Sequence, residues 1–257
     1  MDKIIIVKVG GKLINDDIIL NKFLKIFSKI KSKKILIHGG GNQVNKMSEK
    51  LNLEVKIING RRITNKQDLE VATMIFAGSI NKNIVTKLQS FNCNSIGLSG
   101  ADANLIESIK RPVDKINYGM VGDIKKINSI FLKNLLDNKL SPVICSITHN
   151  KNGQLLNTNA DTIASEIAIS LSKDYLVDLI YCHEKNGVLL DPDDDNSVIA
   201  ELNEKQFHNY LKLNIISNGM IPKLQNSFNA LNKGVNSVKI AGSSLDKINM
   251  KNTLVTN

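Results

Sequence analysis

Two apolar runs of strand length, each ending in a cluster of glycines, constrain this chain more than any other feature. Ile4–Val9 runs into Gly10-Gly11, and Lys34–His38 runs into Gly39-Gly40-Gly41. Short, nearly continuous runs rich in Ile and Val read as strands buried on both faces. Between them Ile18–Lys31 has helical spacing, so the chain opens as strand, loop, helix, strand. Helical patterns follow at Asn42–Leu51, Lys66–Leu88, Ser129–Asn138 and Ala160–Leu171, with strands at Ser95–Leu98 and Pro142–Ile147. From Val177 the alternation restarts, with strands at Asp178–Cys182 and Ser237–Ile240, a turn at Asn186-Gly187, and helices at Glu204–Leu211 and Ile221–Gly234. This order predicts an α/β fold with a largely parallel sheet covered by helices on both faces. Two lobes, residues 1–175 and 176–257, are expected to share that sheet.

Composition narrows the function classes. With 257 residues, 42% of them hydrophobic, the chain can bury a sizeable core, and no apolar run reaches the roughly 18 residues a membrane helix needs. Met1-Asp2-Lys3 leads straight into the first strand without a cleavage site, and Cys93, Cys145 and Cys182 are widely spaced with no C-x-x-C pair. Reduced thiols and a cytoplasmic location follow as expectations. A net charge of +10 would ordinarily point to nucleic acid. Of the 34 basic residues, however, only Arg61, Arg62 and Arg111 are Arg, and the lysines are spread over every helix rather than gathered in a stripe. No nucleic-acid partner is therefore expected. Where Lys serves at nearly every basic position, the few Arg mark places that need a planar, forked donor for carboxylate or phosphate, or else are retained by chance. His38, His149, His183 and His208 lack metal-ligand spacing, and Asp191-Pro192-Asp193-Asp194-Asp195 reads as a solvated acidic turn, so no protein-held metal is expected.

In open α/β sheets ligands bind beyond the carboxyl ends of the strands, where both glycine clusters lie. Glycine lets the backbone approach an anion, and a following helix start adds a favourable dipole. Two such turns suggest two anionic sites, although each alone is equally a plain tight turn. The signatures G-x-x-x-x-G-K-[ST], G-x-G-x-x-G, H-R-D and D-F-G are all absent, so phosphate would be held by another scheme.

Five segments in order, Lys8-Val9-Gly10-Gly11, His38-Gly39-Gly40-Gly41, Asn59-Gly60-Arg61-Arg62-Ile63-Thr64, Asn157-Thr158-Asn159-Ala160-Asp161 and Gly219-Met220-Ile221-Pro222-Lys223, resemble the amino-acid kinase family, and within it the acetylglutamate kinase branch. The likeness runs from about residue 3 to about residue 245. It implies a three-layer αβα sandwich around a mostly parallel sheet of about eight strands. The first lobe would bind the acylated amino acid and form the dimer, and the second would bind ATP. It also implies Lys8 and Lys223 as catalytic lysines held by Asp161, and Gly40, Gly41, Arg62 and Asn157 as substrate-binding positions. Gly10 and Gly11 match the turn facing the transferring phosphoryl group. Glu184-Lys185-Asn186-Gly187-Val188-Leu189 corresponds to the nucleotide loop, with Glu as its leading acid and Lys following, and Ile215, Ile216 and Ser217 join it around ATP. Read from the residues alone, Lys8 is also compatible with a solvated surface lysine, Asp161 with an acidic first-turn residue favoured by the helix dipole, and Arg62 with an exposed turn residue.

The activity this resemblance implies is ATP-dependent phosphorylation of the side-chain carboxylate of an N-acyl-glutamate, the second step of arginine biosynthesis, with Mg²⁺ accompanying ATP. Details at Asn59-Gly60-Arg61-Arg62 and at Tyr181-Cys182-His183-Glu184-Lys185 are similar to a Bacteroidetes-type branch, in which succinyl stands beside acetyl as the acyl group. Acyl-aminoadipate and aspartate are alternative acceptors within the family. Arginine-responsive members carry an extra N-terminal helix; because this chain begins at its first strand, a homodimer without arginine feedback is expected. The chemistry suits the residues. A glutamate side chain, with a pKa near 4.3, is already ionised, so no general base is needed. What must be overcome is repulsion between carboxylate and phosphate, roughly 4 kcal/mol per pair of unit charges at about 4 Å and an effective dielectric near 20, and lysines offset it.

Overall fold

The first apolar run becomes the middle of the main sheet. Lys3–Val9 (β1) is dominated by β-branched side chains, whose stiff torsions favour extended backbone, and it is hydrogen-bonded on both edges. The computed structural model describes residues 1–58, 61–216, 219–242 and 252–256. After β1 come α1 (Lys12–Asn15), α2 (Asp17–Ser28), β2 (Lys33–His38), α3 (Gly41–Lys50), and a hairpin of β3 (Ile57–Ile58) and β4 (Arg61–Arg62). Next are α4 (Lys66–Thr73), α5 (Asn81–Ser90), β5 (Ser95–Leu98), β6 (Ile106–Lys110), β7 (Gly122–Ile127), α6 (Ser129–Asp137), β8 (Ser141–Ile144), β9 (Ile147–His149), β10 (Leu155–Asn157) and α7 (Ala160–Leu171). The remainder is β11 (Leu176–Cys182), β12 (Glu201–Leu202), α8 (Glu204–Lys212), α9 (Ile221–Asn232), β13 (Ser237–Ala241) and β14 (Asn252–Val255).

Eight strands form one sheet in the order β12-β14-β13-β11-β1-β2-β8-β5, parallel throughout except between β13 and β14. Because strand side chains alternate between faces, β1 feeds two cores. Ile4 and Ile6 pack with α6, α7, α8 and α9 through residues such as Leu132, Ile163, Phe207 and Leu224. Val7 and Val9 pack with α2, α3 and α5 through Phe23, Phe27, Val44 and Ile84. The result is the expected three-layer sandwich. The same alternation puts Lys8 on the Ile4 and Ile6 face, the side where α7 and α9 lie.

Several features depart from the sequence expectation, and three of them bear on the site. The strand anticipated at Pro142–Ile147 is two strands: β8 stays in the main sheet, whereas β9 leaves it to join a second sheet in the order β10-β9-β6-β7. The Ser146 hydroxyl, donating to the His38 carbonyl at 3.1 Å, pins the crossing. Strands β6 and β7 were not anticipated because charged residues interrupt both runs, and they are stabilised by pairing with each other and with β9. The long helix expected over Lys66–Leu88 is interrupted by a π-helical stretch, Met74–Ile80, between α4 and α5. Such stretches often mark functional regions, and this one places Phe76 and Ile80 against the Gly40 turn: a Cβ on Gly40 would come within 2.2 Å of Ile80 Cδ1.

His38, fully buried at the end of β2, fixes that turn from beneath. Asn81 Nδ2 donates to its Nε2 at 3.1 Å, so its proton sits on Nδ1, which donates to the Gly39 carbonyl at 3.0 Å. Burial lowers its pKa from 6.5 to about 4, against the opposing pull of the Gly39 carbonyl. A histidine kept neutral by the fold is protonated first in the unfolded chain, so it takes stability away as pH falls from 6.5 towards 4. Urea titrations across this window should therefore show stability falling with pH, and His38→Phe should reduce the slope near pH 5 by about one bound proton. An unchanged slope would show that His38 is not the group responsible.

Candidate active site

Three charged side chains from three separate elements meet above the sheet. Lys8 projects from β1. Asp161 lies in the first turn of α7, whose N-cap Asn159 accepts from the Asp161 and Thr162 amides at 2.7 and 3.2 Å. Lys223 lies in the first turn of α9, just after Pro222, at a position where a missing N–H costs nothing. Asp161 Oδ1 is 2.8 Å from Lys8 Nζ, and Oδ2 accepts from Lys223 Nζ at 3.0 Å. The three side chains are only 13%, 14% and 8% exposed in the order Lys8, Asp161, Lys223.

Burial alone would raise the Asp161 carboxyl, but the charges of Lys223 and Lys8 outweigh it and hold the group well below the usual carboxylate range. Lys223 is lowered by burial, with the Asp161 charge opposing and the Lys8 charge adding to the shift. The Tyr181 ring, 4.9 Å from Lys223 Nζ, supplies a cation–π contact, and its hydroxyl donates to the Asp161 carbonyl at 3.2 Å. The helices carrying the acid and the second lysine are themselves joined: Ser165 Oγ donates to the Asn226 carbonyl at 3.1 Å.

Two cavities, of about 260 and about 410 Å³, flank this cluster and share Lys8, Gly10 and Gly11. The smaller is lined by Gly40, Gly41, Arg62 and Asn157, the four positions expected to bind substrate, and by Asp161. Gly40, at φ +140°, begins α3 in a conformation that L side chains rarely adopt. Arg62 donates to Asn45 Oδ1 and to the Gly41 carbonyl, while its buried Nη1 has no partner among the described residues. Asn157 Nδ2 donates to Thr64 Oγ1 at 3.1 Å, tying β10 to the segment behind β4. Arg61 and Arg111 line the same cavity, so all three arginines of the chain converge on it. Arg111 makes a forked pair with Asp123, with its guanidinium 5.4 Å from the Tyr118 ring.

The larger cavity is lined by Gly10, Gly11, Glu184, Lys185, Gly187, Val188, Leu189, Ile215, Ile216 and Lys223. Asn186 sits behind that loop, against Gly242, and Ser217 falls outside the described residues. The Lys185 ammonium turns outward to Asp195, 2.6 Å away in the acidic turn. Arg61 and Arg111, singled out only as scarce Arg, and Asp123, His183 and Met220, given no site role, also line the two cavities. The scarcity of Arg was a usable signal for the first two. Asp123 sits in β7, a strand not expected from the sequence.

A parallel three-layer sheet with glycine turns at the strand ends, and a carboxylate clamped between lysines from β1 and α9, defines a phosphoryl-transfer scaffold without a Walker loop. Residues 3–242 match the model of the amino acid kinase family, and the chain belongs to that family. A protein named acetylglutamate kinase from Cytophaga hutchinsonii is 48% identical over all of this chain and 98% of its own length. Another of that name, from Parabacteroides distasonis, is 46% identical over 95% of this chain and 96% of its own. Among solved structures, smu.665 from Streptococcus mutans UA159 superposes with a TM-score of 0.83 at 29% identity, covering 98% of both chains. Among the described residues no helix is long and apolar enough to cross a membrane.

Removing the acid from this cluster leaves two buried ammonium groups facing each other. Asp161→Asn should destabilise the fold by roughly 3–5 kcal/mol in urea unfolding. Asp161→Asn combined with Lys223→Met should recover part of the loss, whereas additive losses would show that the three groups are not coupled.

Proposed function

We propose that this chain transfers the γ-phosphoryl group of ATP to the side-chain carboxylate of N-acetyl-L-glutamate, forming an acyl phosphate and ADP in arginine biosynthesis. The observation that carries this reading is the sharing of Lys8, Gly10 and Gly11 by two cavities, one lined by arginines and the other by apolar residues. It gives each substrate a compartment and gives the two a single point of contact. Relatives of nearly full length named acetylglutamate kinase support the choice of acceptor.

Acyl-glutamate would occupy the smaller cavity, its α-carboxylate on the unpartnered Nη1 of Arg62 and its side-chain carboxylate at the Gly40 and Gly41 turn. ATP would occupy the larger one, its adenosine end against Val188, Leu189, Ile215 and Ile216 and its phosphates towards Gly10 and Gly11. A carboxylate oxygen then forms a bond to the γ-phosphorus as the bond to the β–γ bridging oxygen breaks, and that electron pair leaves with ADP. No proton moves, so no base is required. Lys8 offsets charge on the transferring group beside the glycine amides, and Lys223 follows the charge that grows on the leaving oxygen. Asp161 aims both. Mg²⁺ would arrive on the nucleotide as part of the co-substrate; among the described residues no group of three or more His, Cys, Asp or Glu gathers to hold a metal ion.

A second acyl group is favoured by one observation. Arg61 lines the acceptor cavity, and its side chain has no hydrogen bond or ion pair among the described residues, leaving cationic capacity beyond what one α-carboxylate uses. The extra carboxylate of N-succinyl-L-glutamate would take it up. Side-by-side kinetics with both acyl-glutamates decide between them: kcat/KM higher for the succinyl compound, and Arg61→Ala lowering it for that compound alone, would favour succinyl.

The activity itself is tested by trapping acyl phosphate with hydroxylamine. Lys8→Ala and Lys223→Met should each lower kcat by roughly 100-fold or more while remaining folded, and Arg62→Ala should mainly raise KM for the acyl-glutamate. Failure of the wild-type protein to turn over either acyl-glutamate would overturn the reading.

A further inference from the structure

His183 stands one residue beyond β11, and its surroundings fix both its charge and its proton. Extending the pairing of Lys8 with Tyr181 by two positions sets His183 abreast of Gly10. Its backbone N–H donates to the Ala241 carbonyl at 3.0 Å, tying it to the end of β13. The Lys185 amide, which can only donate, meets the ring at Nδ1 at 3.4 Å, so Nδ1 is the acceptor and a neutral ring carries its hydrogen on Nε2. Burial, reinforced by the charges of Lys223 and Lys8, lowers the pKa from 6.5 to about 4, which keeps the ring neutral at neutral pH.

Nε2 is buried and has no hydrogen-bond partner among the described residues. A donor in that position is costly unless a ligand supplies the acceptor. The nearby carboxylate of Asp161 is already occupied by two ammonium groups. His183 lines the larger cavity, and its register beside Gly10 and the charges of Lys223 and Lys8 that reach its ring group it with Lys8, Gly10, Gly11 and Lys223. An acceptor supplied there is a phosphate oxygen rather than a base nitrogen.

We propose that His183 is a phosphate-binding residue of the nucleotide site, its neutral Nε2–H donating to an oxygen of the β-phosphate. The proposal rests on the nucleotide reading given above. A neutral donor suits this place, since two lysines already provide positive charge and a third cation would have to be buried beside them. The contact exists with ATP and with ADP alike, so it contributes to nucleotide affinity more than to the chemical step.

The test is calorimetric titration of ADP and AMP into wild type, His183→Phe, which keeps a ring but has no donor, and His183→Gln, whose amide can donate from a similar distance. Circular dichroism and melting show whether each variant is folded. The expected result is ADP binding weakened roughly tenfold or more in His183→Phe, AMP binding within about twofold of wild type, and recovery of most ADP affinity in His183→Gln. KM for ATP should rise in His183→Phe with kcat and KM for the acyl-glutamate nearly unchanged. ADP binding unaffected in His183→Phe, or ADP and AMP weakened equally without rescue by Gln, would overturn the proposal. A wild type that binds neither nucleotide would instead overturn the proposed function, and this inference with it.

Discussion

Two ammonium groups proposed to reach the same phosphoryl group, those of Lys8 and Lys223, repel each other, and in a site this dry little water screens them. Asp161 resolves the conflict by offering one oxygen to each, at 2.8 and 3.0 Å. Much of the surrounding structure serves that contact. The Asn159 cap fixes the first turn of α7, Pro222 starts α9 close by, and Tyr181 supports the acid and Lys223 together through its hydroxyl and its ring. Since β1 sits at the centre of the sheet and α9 follows the long segment after β11, the clamp joins parts of the chain more than 200 residues apart in sequence.

The charge balance of the cluster explains its chemistry. One carboxylate between two lysines leaves net positive charge where, in the proposed reaction, a negative acceptor and a negative donor would meet. In the proposed reaction, arriving phosphate oxygens would add their contacts to those Asp161 already makes with the two lysines, without a proton changing place. Keeping ammonium groups buried costs stability, and the same burial lowers the pKa of Lys223.

The main sheet was legible because its strands are continuous apolar runs punctuated by glycine, and β1, β2, β5 and β11 lie where the periodicity places them to within a few residues. The second sheet was not. Residues 106–110 and 122–127 mix charged and apolar side chains, and only pairing with distant partners makes them strands. The π-helical stretch was hidden too, since its residues continue an amphipathic pattern without a break. In the site, Lys8 and the glycine turns carried local signals, whereas Asp161, read from the residues alone, looked like any first-turn acid and was set apart only by the family resemblance. The convergence of Arg61, Arg62 and Arg111 was foreshadowed by composition, but their common cavity is a product of tertiary packing. His183 stood in a segment noted for its family resemblance but was given no role, because its significance lies in a nitrogen without a partner among the described residues.

The central claim, that Lys8 and Lys223 flank one phosphoryl group with Asp161 aiming them, is tested most directly by a crystal structure with ADP, N-acetyl-L-glutamate and a planar metal fluoride in place of the transferring group. The account predicts the fluoride between the two cavities, contacted by Lys8 Nζ and the Gly10 and Gly11 amides on one side and by Lys223 Nζ on the other, with Asp161 still touching both lysines. A fluoride seated away from Lys8, or a Lys223 that stays on Asp161 without reaching ADP or the fluoride, would contradict it.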